Sequence, residues 1–204
     1  MKDFLDTCHL PTRLPPSGRN SIDLASFQQH PNQEIAMSSD TALPHEKVNQ
    51  IVYFLQHGGI LKKFDFPRMH LPNVAGYKPK YYEEIGQKIA SKKIGIYVAE
   101  GSIAGAKAFY NVDSNCLYLT SATKALNTPD HWSTIAHEAT HMIQDLKKWK
   151  MSMQEMEADA HFAQALFLYH KNSFLSGGTM QSFNTAAKYF AEGDMKEFKK
   201  KSRR

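Results

Sequence analysis

The chain has 204 residues, of which 42% are hydrophobic and 22% are charged, close to the proportions of an average soluble globular protein. This composition excludes collagen, a coiled-coil rod and a fully disordered chain, and two cysteines are too few for a disulfide framework. The net charge of +5 equals the charge of the last nine residues, KEFKKKSRR, which hold six basic side chains and one acidic one. Because the rest of the chain is neutral, we expect no nucleic-acid partner.

The sequence contains no apolar run of the roughly 18 residues that a membrane helix needs, so we expect no membrane span. The first residues, MKDFLDTCHLPTRLPPSG, lack the apolar stretch of a Sec signal peptide. We therefore expect a cytoplasmic location, or secretion by a Sec-independent route into a host or target cell.

Composition divides the chain into three parts. Residues 1–45 hold five of the nine prolines and many Ser, Asn and Gln, without a sustained period, which predicts an irregular or disordered leader. A role for this leader in export, docking or as a pro-segment stays open. Residues 46–195 are predicted to form a single domain, and residues 196–204 a basic, solvated tail.

The first half of the predicted domain changes from helical to strand patterns. Apolar residues recur at helical spacing in EKVNQIVYFLQHGG, where Gly58 can end the helix, and again in YYEEIGQKIASKK. From residue 93 the pattern alternates, and KIGIYVAEG predicts a strand at about Ile94–Ala99. The segments AKAFYNV and NCLYLTS predict two more strands. Asp113, Ser114 and Asn115 join them as a β-hairpin, since these residue types favour tight turns.

Two long helices are predicted to follow the hairpin. Thr128 is a good N-cap and Pro129 suits the first helical position, so the first helix should run from there to about Lys148. The second helix is predicted at about Met153–Lys171, and a shorter one at about Thr179–Ala191. The predicted fold class is therefore α+β, with a small, mostly antiparallel sheet packed on the first long helix and a helical C-terminal part.

The first long helix carries the motif HExxH in the segment HEATH. His137 and His141 are separated by about 40° around the axis and one turn along it, so both imidazoles can bind one Zn²⁺. Glu138 lies on the same turn and can act as a general base towards a metal-bound water. A surface pair of histidines is the alternative, but the well-capped helix and the preceding hairpin favour a metal site.

A catalytic zinc ion needs a third protein ligand and an open position for water. Fourteen residues after His141, Glu155 can lie near the start of an antiparallel helix, so we predict it as the third ligand. Asp159, one turn further, is expected to accept a hydrogen bond from the non-ligating nitrogen of a zinc histidine. Glu157 is out of phase with both and is predicted to lie on the surface, although it is the rival ligand, and His161 is expected to face elsewhere. An ordinary acidic helix start is the alternative explanation for Glu155.

HEATH followed by EMEAD resembles the gluzincin group of zinc metallopeptidases, which have HExxH on one helix and a glutamate ligand on the next. Thermolysin-like enzymes follow this pattern, as do the membrane-bound prenyl-protein peptidases with their E-x-x-A-D segment. EMEADAHFA is also similar to the E-x-E-A-N-x-F-A segment of compact repressor-cleaving peptidases, and HEATHMIQD resembles minimal metallopeptidase domains of bacterial effectors and toxins. The likeness covers about Ile94–Tyr169. The chain lacks the membrane helices of the prenyl-protein group and the length and calcium-site carboxylates of thermolysin.

The resemblance implies a zincin-like metallopeptidase domain at residues 46–195 that hydrolyses peptide bonds with a zinc cofactor. The roles it implies are ligands at His137, His141 and Glu155, the base at Glu138 and a supporting carboxylate at Asp159. It also implies that a protein or peptide substrate binds in extended form beside a hairpin strand. A delivered bacterial effector and a cytosolic peptidase are both open as biological roles. The alternatives are a non-catalytic zincin-like binding domain and a zinc amidase acting on a non-protein amide, and the intact Glu138 favours an enzyme.

Overall fold

The computed structural model of the protein describes residues 41–69, 75–99, 106–177 and 180–194. Within these ranges the helices are α1 (His45–His57), α2 (Pro79–Ala90), α3 (Pro129–Leu146), α4 (Met153–His170) and α5 (Gln181–Ala191), and the strands are β1 (Thr41–Ala42), β2 (Gly95–Val98), β3 (Ala108–Asn111) and β4 (Cys116–Leu119). Residues 1–40 of the predicted leader and the predicted basic tail lie outside the described residues. None of the helices in the described ranges has the length and apolarity that crossing a bilayer requires.

The four strands form one sheet in the order β1-β2-β4-β3. The predicted hairpin joins β3 to β4 in antiparallel register, with Asn115 in the left-handed conformation at its turn. The α+β class is confirmed, but the sheet is mixed, because β4 inserts beside β2 in parallel. Both β2 and β4 are interior strands, but β4 is buried on both faces at Leu117, Tyr118 and Leu119, whereas burial alternates along β2.

Helices α3 and α4 start where local sequence signals place them. The hydroxyl of Thr128 accepts a hydrogen bond from the backbone N–H of His131 at 3.2 Å, which caps α3. A capping box starts α4. The Ser152 hydroxyl accepts from the Glu155 N–H at 3.3 Å, and the Glu155 carboxylate accepts from the Ser152 N–H at 2.7 Å. Each cap satisfies backbone donors that the first helical turn leaves without a partner.

The two long helices run antiparallel and share the core with α1 and α2. The cross-helix contacts run in opposite order along the two helices, with Gln144 bonded to Met156 near one end and Gln164 to Ser133 near the other. The hydrophobic faces of α1 and α2 pack beside them as the helical spacing predicted. Their fully buried hydrophobic side chains are Ile51 and Leu55 on α1 and Tyr82, Ile85 and Ile89 on α2.

An isolated β-bridge between Phe66 and Tyr77 lies in the segment before α2 and packs against the two long helices. Each backbone N–H donates to the other residue's carbonyl, at 3.2 and 2.8 Å, and the two rings stack with centroids 4.7 Å apart. Gly76 lies beside this bridge, and a Cβ at that position would come within 2.1 Å of the Phe66 carbonyl oxygen. Only glycine therefore lets the two backbones approach this closely.

Gly76→Ala should lower the free energy of unfolding by about 1–3 kcal/mol, because the added methyl group must displace backbone atoms rather than a mobile side chain. Gly59→Ala is the matched control, since nothing lies within 4 Å of a Cβ built there. Its effect should stay within about 0.5 kcal/mol. Urea unfolding measures both, and equal stability of the two variants would show that the bridge is not a tight contact.

Candidate metal centre

Three side chains from α3 and α4 converge on one point. The Nε2 atoms of His137 and His141 lie 3.1 Å apart, and the Glu157 carboxylate oxygens lie 3.5 and 3.4 Å from them. Tetrahedral ligands at about 2.0–2.1 Å from an ion are separated by about 3.3–3.4 Å, so the observed spacing matches that of a metal centre. These three residues form a group that could hold a metal ion.

The side chain of Gln144 fixes which nitrogen of His141 carries the proton. Its Nε2 donates to the Met156 carbonyl at 3.0 Å and to the Tyr77 hydroxyl at 2.8 Å. Because a carbonyl can only accept, the amide has one possible orientation, and its Oε1 must accept from the His141 Nδ1 at 2.9 Å. In the neutral ring of His141 the lone pair is therefore on Nε2, directed at the metal centre.

The ring of His137 faces the centre with Nε2 and packs against two neighbouring histidine rings. Its Nδ1 is buried and has no hydrogen-bond partner within the described part of the chain. The ring packs edge-on against His141 and His161, with centroids 4.8 and 4.7 Å away. Two imidazole Nε2 atoms at 3.1 Å need a cation or a shared proton between them, since two lone pairs at that distance repel each other.

Asp159 supports the centre indirectly. Its carboxylate accepts from the Tyr77 hydroxyl at 2.9 Å and from the Met69 backbone N–H at 2.8 Å. Burial raises the pKa of Asp159 to about 6, while these two hydrogen bonds act in the opposite direction. The predicted direct bond to a histidine is thus corrected, because Asp159 reaches His141 only through Tyr77 and Gln144.

The structure does not bring Glu155, the predicted third ligand, to the histidines. Its carboxylate closes the capping box at the start of α4, and Glu157 lies at the centre instead. Glu157 is about 200° around the helix from Glu155 and shares a face with His161. The face of α4 that carries Glu155 is therefore not the face beside the histidines, and Asp159, on the Glu155 face, contacts the Phe66–Tyr77 bridge.

Glu138 lies beside the three-residue group and is buried. Its Oε2 accepts from the backbone N–H of Tyr110 on β3 at 2.9 Å. Burial raises the pKa of Glu138 to about 7, and the charge of His141 opposes this rise. The Tyr110 hydroxyl also donates to Asp145 at 3.0 Å, so Tyr110 attaches β3 to α3 through both its backbone and its side chain.

The charges of the group favour cation binding. Burial alone would raise the pKa of Glu157, but the rings of His137 and His141 outweigh it and hold this pKa below its ordinary value. Burial lowers the pKa of His137. Burial also acts to lower the pKa of His141, but the nearby carboxylates of Glu157 and Glu138 outweigh burial, so the pKa of His141 is raised. An ionised carboxylate beside two imidazoles is a donor set for a divalent metal.

His161, Gln144 and Gln164 lie at or next to the centre and were not included in the sequence prediction of the site. The Nε2 of His161 lies 3.8 Å from the Glu157 carboxylate, although the ring was expected to face elsewhere. Burial lowers its pKa to about 4. The spacing H-x-x-Q occurs on both helices, as HMIQ at 141–144 and HFAQ at 161–164. That repeated pattern was the available signal, because a glutamine three residues later on a helix can reach the histidine.

Comparison of the chain with protein-family models, with curated proteins and with solved structures gives no match. The function is therefore inferred from the residues of the chain and their geometry.

Glu157→Ala should weaken binding of zinc, used as the probe ion, by at least about 10-fold, because it removes the carboxylate ligand. Glu155→Ala should leave zinc binding intact and lower the free energy of unfolding by about 1 kcal/mol through the lost capping box. Metal analysis after dialysis and urea unfolding check the two effects. Loss of zinc in the Glu155 variant alone would restore the first assignment.

Tyr77→Phe should weaken zinc affinity by about 10–100-fold, the usual effect of removing a group that orients a metal ligand. Tyr82→Phe is the control, because it also removes a buried tyrosine hydroxyl, and the bond of that hydroxyl to Thr140 at 3.0 Å lies outside the chain that leads to His141. Competition with a chelator measures both affinities. Equal affinities would mean that the hydrogen-bond chain serves stability alone.

Proposed function

We propose that the protein is a zinc-dependent endopeptidase of the gluzincin type. The observation that supports this most strongly is the convergence of His137, His141 and Glu157, with the buried carboxylate of Glu138 beside them. A site built only to hold a structural metal would not need a second, buried acid next to its ligands, since burying a carboxylate is unfavourable. Hydrolysis gives that carboxylate a role.

The donor set favours zinc over other metals. Two imidazoles and one carboxylate are the ligands of many catalytic zinc sites, whereas magnesium and calcium prefer sites made of oxygen. When bound, zinc polarises a carbonyl group and lowers the pKa of water towards neutrality. His137, His141 and Glu157 would hold the ion, and Gln144 keeps the Nε2 of His141 directed at it.

We assign proton transfer to Glu138. The Tyr110 N–H holds one carboxylate oxygen, Oε2, and the other oxygen is the atom that accepts a proton from the attacking water. The water oxygen bonds to the peptide carbonyl carbon, and the carbon–nitrogen bond then breaks. Glu138 returns the proton to the departing nitrogen, so that a carboxylic acid and an amine leave and the side chain is again ionised.

The geometry of β3 supports a peptide substrate. In the described sheet β3 is an edge strand, and its neighbour β4 takes the alternate backbone groups, as in the bond from the Thr120 N–H to the Lys107 carbonyl at 3.0 Å. The backbone groups of Ala108 and Tyr110 consequently face away from the sheet. Glu138 uses the Tyr110 N–H, and within the described residues the N–H and carbonyl of Ala108 and the carbonyl of Tyr110 are then the groups that can pair with an extended peptide.

Glu138→Gln should reduce hydrolysis of a denatured protein substrate by about 10²–10⁴-fold, the usual contribution of a general base. Zinc content should stay at the wild-type level, because the three ligands are intact. Glu83→Gln, which removes an acid from α2 far along the sequence from the motif, is the control and should cleave like wild type. Fragment analysis by mass spectrometry and metal analysis on the same samples provide the measurement.

Two results would contradict the proposal. Cleavage by Glu138→Gln at the wild-type rate would remove the base from the mechanism. Absence of cleavage by the zinc-loaded wild type across denatured proteins and a peptide library would favour a non-catalytic binding domain.

A further inference from the structure

His161 stands next to the proposed ligands and plays no part in the mechanism above. Its ring packs between His137 and Phe183, with centroids 4.7 and 5.5 Å away. Its side chain is 29% exposed, compared with 12% for His137 and 13% for His141. His161 is thus the outermost of the three histidines at the centre.

A chain of hydrogen bonds fixes the tautomer of His161. The Ser133 hydroxyl donates to the Asp130 carbonyl at 2.7 Å, so its oxygen accepts from the Gln164 Nε2 at 3.4 Å. The Gln164 Oε1 then faces the Nδ1 of His161 at 3.4 Å, and this Nδ1 must carry the hydrogen. The lone pair of the neutral ring is consequently on Nε2.

This Nε2 lone pair faces an atom that cannot donate to it. The nearest oxygen of Glu157 lies 3.8 Å away, beyond hydrogen-bond distance, and an ionised carboxylate only accepts. A cation between the two atoms would satisfy both. His141 with Gln144 has the same arrangement, in which the glutamine three residues later holds Nδ1–H and directs Nε2 at the centre.

We propose that His161 is a fourth protein ligand of the bound metal ion, an inference that rests on the zinc site proposed above. Three imidazoles and one carboxylate would then hold the resting ion, and the ring of His161 would move inward to join them, because among the described residues only the ligand atoms of His137, His141 and Glu157 all lie within 4.8 Å of one another. A hydrolytic zinc ion needs one position for water or substrate, so His161, the most exposed histidine, is the ligand that leaves when the site opens. The rival explanation is that His161 only contacts Glu157 from outside the coordination sphere.

The test compares His161→Ala with His170→Ala, a change of the same residue type at the far end of α4. Zinc affinity is measured by competition with a chelator, and the visible absorption spectrum of the cobalt-substituted proteins reports the number and type of ligands. We expect His161→Ala to weaken zinc binding by at least about 10-fold and to change the cobalt spectrum, since even groups behind the ligands have effects of this size. His170→Ala should match wild type in both.

The outcomes separate this inference from the proposed function. Wild-type affinity and an unchanged cobalt spectrum in His161→Ala would overturn the fourth ligand while leaving the three-residue zinc site in place. Failure of wild type itself to bind zinc or cobalt would overturn the proposed function, and the fourth ligand with it. If urea unfolding shows that His161→Ala is not folded, His161→Gln, which keeps side-chain volume, replaces it under the same criteria.

Discussion

The amide of Gln144 is buried between α3 and α4 and contacts three elements at once. It accepts from His141 on its own helix, donates to the Met156 carbonyl on α4, and donates to Tyr77 from the β-bridge. Met156 immediately precedes Glu157, so the same side chain orients one ligand and positions the backbone that carries another. Each such bond contributes only about 0.5–1.5 kcal/mol, but an unpaired buried partner costs about 1–3 kcal/mol, so the network specifies one arrangement of the centre.

The remaining parts of the fold present groups to this arrangement. The bridge between Phe66 and Tyr77 places the tyrosine hydroxyl within hydrogen-bond distance of Asp159. The absence of a side chain at Gly76 lets the two bridged backbone segments come close enough to pair. On the other side, β3 delivers a backbone N–H to Glu138. The small sheet and the helix pair thus meet at the HExxH turn, where a buried acid lies next to three potential ligand donors.

The sequence predicted the features that depend on neighbouring residues. The α+β class, the hairpin turn and the cap at Thr128 follow from short-range chemistry, and the pairing of His137 with His141 follows from helical periodicity. The sequence favoured Glu155 over Glu157 as the third ligand, whereas the structure places Glu157 beside the histidines, because spacing along the chain does not reveal which face of α4 contacts α3. The motif Ser152-x-x-Glu155 was a local signal for capping and could have corrected it. Tyr77 could not be predicted, because 67 positions separate it from Gln144 and only the tertiary fold joins them.

The central claim is that α3 and α4 hold one zinc ion between the HExxH histidines and Glu157. A crystal of the zinc-loaded protein, measured at the zinc absorption edge, tests it directly. The account predicts a single anomalous peak about 2.0–2.2 Å from the Nε2 atoms of His137 and His141 and from a carboxylate oxygen of Glu157. A peak bound by Glu155 in place of Glu157, or no peak at the HExxH turn, would contradict it.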